Sequence, residues 1–258
     1  MSRHLAVRWY LVLVVGYVAL VQVLGFALTR GSDSGYDSAD GLWRSITLPV
    51  GVGLVLVAVT VAVLRWWRPV FRDDRPVRRW VAVVPIVMIV AIGLGTNYAG
   101  LVDRGTGFAL LLLVSALFVG FAEEGLFRGI GVTVLRARGM PEGRVALWSS
   151  VVFGLAHSAN LISLGPRALV QVLVVAVAGY FFYLVRRRGG GLLLPAVLHA
   201  LWDFSLITAS IVPGETYTAS TVVVVGLLVV AAVVGAGRHR IEPGAVSDTL
   251  PAPARRTT

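Results

Sequence analysis

The sequence predicts an all-α fold, a polytopic membrane helix bundle with about eight transmembrane helices, and composition, run length and charge placement predict it. Of the 258 residues, 57% are hydrophobic and only 14% charged, a balance outside that of soluble domains. The apolar residues gather into runs approaching the roughly 20 helical residues that a bilayer core requires. Most of the charges sit in short connections between those runs.

Taken in order, the first run, 6–28, follows Arg3 and precedes an acidic connection with Asp33, Asp37 and Asp40. It is too long for a secretory signal and has no clear small-residue cleavage site, so it is read as a retained helix. The second, 46–64, leads into a connection with six arginines between Arg65 and Arg79. The third, 80–94, is the shortest. The fourth, 107–135, and the fifth, 145–164, are separated by another basic connection. The sixth, 168–185, ends at Arg186, Arg187 and Arg188, the seventh spans 192–212, and the eighth, 220–236, precedes a polar, proline-containing tail.

Basic and arginine-poor connections alternate, so eight helices with both termini in the cytoplasm satisfy the positive-inside rule. This divides the chain into three N-terminal membrane helices in 1–106, a core in 107–236 and a disordered cytoplasmic tail in 237–258. The net charge of +10 comes from 23 basic residues, all arginine. Because they border apolar runs, they are read as topology signals and contacts to anionic headgroups of the lipid bilayer, and no nucleic acid partner is expected. With no cysteine, the chain has no disulfide, thiol nucleophile or thiolate metal ligand.

Within the fourth run, Glu123 and Glu124 are followed by Arg128. On insertion scales each ionisable group at a helix centre costs about 2.5–3.5 kcal/mol, so three together point to a functional site. Residues four apart share a helix face, which pairs Glu124 with Arg128 and turns Glu123 toward another helix as the candidate base. The fifth run places Phe153 and His157 on one face, and the seventh does the same with His199 and Asp203. At 1.5 Å per residue Glu123, Glu124, His157 and Asp203 fall about 17–18 Å below the basic side, and His199 about 11 Å. Three separate helices thus bring polar groups toward one layer. Alone, His157 reads as a helix-to-helix hydrogen bond, and the His199–Asp203 pair reads equally as metal ligands, an oriented proton carrier or a structural bond.

In combination, Glu-Glu-x-x-x-Arg, Phe-x-x-x-His and His-x-x-x-Asp, in that order, resemble the CPBP family of CAAX prenyl proteases and bacteriocin-processing enzymes. The resemblance covers roughly 108–210. It implies intramembrane hydrolysis of a peptide bond in a membrane-associated protein or peptide. Glu123 with His157 would hold and deprotonate a water, and His199 would help stabilise the oxyanion. Asp203 stands where the prenyl-protease branch usually has asparagine. An ionised aspartate cannot donate to an oxyanion, so Asp203 is protonated, orients His199 or binds a metal. Glu123, His157, His199 and Asp203 offer enough N and O ligands for a catalytic zinc, although no His-Glu-x-x-His signature is present. A metal-free route stands beside it.

The remaining polar residues have blander roles. Ser158, Asn160 and Gln171 suit hydrogen bonds across the bundle. Ser149 and Ser150 have no base at a motif spacing. Trp43, Trp66, Trp67 and Trp80 sit at run ends as interfacial anchors, and 189–191 reads as a loop. Two other functions compete, a non-catalytic scaffold or immunity protein and a proton-coupled transporter. The arginine-, alanine- and valine-rich composition points to a bacterial plasma membrane.

Overall fold

A chain with so few water-facing side chains must satisfy its backbone internally, and helices do this within a single segment. The computed structural model describes residues 4–31, 35–212, 214–215 and 217–243. Arg3, Asp33 and the tail at 244–258 lie outside these. Among the described residues every regular element is a helix, and one isolated bridge joins Arg72 to Gly191.

The principal helices are α1 (Val7–Thr29), α2 (Ala39–Leu64), α3 (Arg79–Gly95), α4 (Tyr98–Arg104), α5 (Thr106–Ala137), α6 (Glu142–Ala156), α7 (Arg167–Gly189), α8 (Leu193–Ser210) and α9 (Thr218–Arg240). Six of them are long and apolar enough to cross a membrane, and α3 with α4, bent by 55°, makes a seventh candidate. This makes the chain an integral membrane protein.

The expected count of eight is therefore approximate, and the difference lies in the fifth run. Its α-helix stops after 15 residues at Ala156, followed by a 3-10 turn at His157–Asn160 and a short helix at Leu161–Leu164. The polar stretch His-Ser-Ala-Asn has weak helix preference, and the ring of His157 turns back to bond the carbonyl of Phe153.

Two apolar clusters form the interior. One joins parts of α3, α7, α8 and α9. The other joins α1, α2 and the middle of α5, and includes Phe153 of α6. The motif residues lie at their seam, where Phe182 of the first cluster and Phe153 of the second both touch Arg128 and His199.

A polar clasp secures the end where α5 and α7 finish. Fully buried Arg186 donates to Asp73 at 2.9 Å and to the carbonyls of Val70, Pro69 and Arg72 at 2.7–2.9 Å. Arg136 bridges Asp73 at 2.9 Å and Glu142 at 2.8 Å, and Glu142 also accepts from Tyr183 and pairs with Arg75. The connection rich in arginine is thus tied to three helices.

The tryptophans divide. Trp43 and Trp67 are about half exposed at helix ends, whereas Trp66 is 5% exposed and packs in the core. Its position at the break between α2 and the following turn directs it inward. Of the 189–191 segment, Gly189 still belongs to α7, Gly190 at φ +70° closes the helix and Gly191 bridges to Arg72.

Candidate active site

Immediately after Glu124, α5 widens into a π-helical turn over Gly125–Gly131. Glycines at 125, 129 and 131 weaken the α-helical preference there, and single π turns commonly accompany functional sites. Arg128 lies within this turn and places Nη1 3.0 Å from Glu124 Oε1, with both side chains fully buried. Despite that distance, none of the guanidinium nitrogens has a hydrogen-bond partner, so the pair is close but poorly directed. The guanidinium instead lies over the Phe153 ring, 4.0 Å from its centroid. Gly179 of α7 is necessary for this placement, since a Cβ there would come within 2.6 Å of Arg128 Nη2 and 2.9 Å of Phe153.

Phe153 is the hub of the constellation. Its ring meets His157 edge-on at 5.0 Å and His199 edge-on at 5.7 Å, while Phe182 stacks on His199 at 4.6 Å. The imidazoles are thereby held in orientation by aromatic surfaces.

His199 connects the carboxylates. Its Nδ1 lies 3.1 Å from Glu124 Oε1, and because a carboxylate only accepts, Nδ1–H is the donor. Its Nε2 faces Asp203 Oδ2 at 3.4 Å and Glu123 Oε2 at 3.9 Å. Glu124 therefore serves two partners, Arg128 in its own helix and His199 in α8. The sequence spacing pointed only to the first. At His157 the carbonyl of Phe153 accepts from Nδ1 at 3.0 Å, leaving Nε2 of the neutral ring as an acceptor.

Glu123 and His157 line one cavity of about 130 Å³, together with Tyr17, Val18, Val21, Gln22, Phe127, Ala156 and Asn160. That volume holds several waters at about 10–15 Å³ of centre-accessible space each. Glu123 Oε2 is buried with no hydrogen-bond partner in the protein. Beside the cavity, Gln22 Nε2 donates to Asn160 Oδ1 at 3.0 Å and Asn160 Nδ2 donates to Gln171 Oε1 at 2.9 Å. Sequence spacing did not single out Tyr17, Gln22 or Phe182. A polar side chain within the otherwise apolar α1 was the available signal for Gln22. The serines are accounted for differently, since Ser149 and Ser150 both donate to the carbonyl of Ala146 in their own helix.

Among the described residues, no group of three or more His, Asp or Glu side chains is arranged to hold a metal ion. Each motif histidine also commits Nδ1 within the protein, to Phe153 or to Glu124. This leaves Nε2 as the ring nitrogen of each histidine that faces the constellation.

Residues 105–205 match the family model described as Rce1-like, "Type II CAAX prenyl endopeptidase Rce1-like". This segment is thus similar to the Rce1-like endopeptidases, a family of intramembrane proteases, consistent with the CPBP resemblance. No curated protein and no solved structure matches the chain.

Proposed function

We propose that this protein is an intramembrane endopeptidase that cleaves a peptide bond in a membrane-associated protein or peptide. The supporting observation is Glu123 Oε2, a buried acceptor without a protein partner, on the wall of a cavity roomy enough for several waters that His157 also lines. In this reading Glu123 and the free Nε2 of His157 hold a water between them. Its oxygen attacks the scissile carbonyl carbon as its proton passes to Glu123, which later returns the proton to the departing nitrogen. Glu124 accepts from His199 and orients it, and His199 in turn faces Asp203 and Glu123. No step is routed through a metal.

Two apolar cavities between α1 and the 152–162 stretch, of about 570 and 670 Å³, share Gln22 with the catalytic cavity. They favour approach of an apolar substrate segment from the side of the bundle. A bacterial plasma membrane, with both termini in the cytoplasm, completes the proposal.

Mapping of peptide termini in membrane proteomes tests it, using cells that make wild type or Glu123→Gln at matched levels. Termini present only with the wild type support the endopeptidase. If none depends on Glu123 while the cell phenotype survives Glu123→Gln, the scaffold reading replaces it. Chelation followed by zinc return is a separate arm, in which loss and recovery of those termini would establish a metal requirement.

A further inference from the structure

The hydrogen-bond donors around the catalytic cavity are nearly all committed. The amide nitrogens of Gln22 and Asn160 donate to Asn160 and Gln171, and Nδ1–H of His157 donates to Phe153. Glu123 and Asp203, when ionised, have nothing to donate, and Nε2 of His199 faces both. Among the described residues that line the cavity, the exception is Tyr17 of α1. It lines the cavity, is 4% exposed, and its hydroxyl is buried without a partner in the protein. Its hydroxyl is thus a donor that no protein group engages, on the same cavity wall as an equally unpartnered Glu123 oxygen, and it is open to an acceptor that enters with the substrate.

The ring is held in place for such a role. It packs against Gly53 of α2, where a Cβ would stand 2.6 Å from Tyr17 Cε2, so the close approach of α1 and α2 fixes the phenol next to the cavity. Tyr17 lies outside the family-matched segment, on a helix that the motifs do not include.

We propose that Tyr17 is a further catalytic residue, whose hydroxyl donates a hydrogen bond to the oxygen of the scissile carbonyl. The proposal rests on the endopeptidase reading. As the water oxygen bonds to the carbonyl carbon and its proton passes to Glu123, the carbonyl π pair moves onto oxygen, and that oxygen accepts from Tyr17. When the C–N bond breaks, the pair returns to re-form the carbonyl, and nitrogen leaves with the proton from Glu123. Tyr17 keeps its proton throughout. A neutral phenol therefore supplies the donor that an aspartate at 203 does not.

The test follows the Glu123-dependent termini over time in cells making wild type, Tyr17→Phe or Glu123→Gln. Tyr17→Phe keeps the ring against Gly53 and removes one oxygen. The termini are expected to form about 10²-fold more slowly, with abundance and detergent melting temperature unchanged. Formation at the wild-type rate overturns the proposal. A fluorinated tyrosine at position 17, a stronger donor, separates donation from packing and decides the matter if Tyr17→Phe fails to accumulate. A rate above wild type supports donation, and an unchanged rate overturns it. If the wild type produces no Glu123-dependent termini, the endopeptidase reading falls first and this one with it.

Discussion

Arg128 and Arg186 are both fully buried, yet their surroundings differ completely. Arg186 has its guanidinium satisfied by Asp73 and three backbone carbonyls. Arg128 has one close carboxylate, no directed hydrogen bond and an aromatic ring beneath it. A buried charge with all its partners in place acts as a lock, because removing any partner leaves the others desolvated and unpaired. An incompletely bonded one such as Arg128, close to Glu124 alone, suits on the endopeptidase reading a place where bonding is completed during work rather than on folding. The difference teaches that burial and charge alone do not distinguish the clasp from the site, whereas counting hydrogen bonds does.

The largest effect that would sharpen this contrast is chemical. Glu123→Gln is expected to lower the rate of substrate cleavage by about 10²–10⁴-fold, read from termini in membrane proteomes, with little change in melting temperature. At the clasp the pattern reverses. Asp73→Ala leaves Arg186 and Arg136 without their shared carboxylate and should destabilise the fold by about 3–5 kcal/mol, measured as a lower melting temperature in detergent and reduced abundance.

A smaller effect tests the comparison more directly. The double variant Arg128→Met with Glu124→Gln replaces a poorly directed pair by neutral groups, and its stability should stay within about 1 kcal/mol of wild type or rise, while cleavage is lost. Strong destabilisation would instead make Arg128 a second lock. The smallest expected change is for Gln22→Leu, which removes the bond to Asn160 and should cost about 0.6 kcal/mol, measured by the same melting experiment.

Much of the site was legible because helical spacing is a local property. Phe153 and His157, and Glu124 and Arg128, are four residues apart, and their contacts follow from the rise and turn of one helix. The attachment of Glu124 to His199 could not be read that way, since 75 residues separate them and only the packing of α5 beside α8 joins their side chains. Tyr17 was hidden for the same reason. It sits in an apolar helix with no motif partner, and its role depends on which face of α1 meets α2.

The break after Ala156 shows where a run of hydrophobicity misleads. Apolar composition continued through 145–164, but the backbone left the α-helix at His157, the residue whose ring returns to Phe153. Composition by itself determined that the chain folds in a membrane and that its buried charges belong to a site or a lock, because desolvation penalises any other use of them. Only the tertiary structure decided which arginine is satisfied, which carboxylate oxygen is not, and which hydroxyl of α1 stands beside it. Those outcomes depend on contacts between helices distant in sequence, and hydrogen bonds are made or missed over a few tenths of an ångström that no spacing rule encodes.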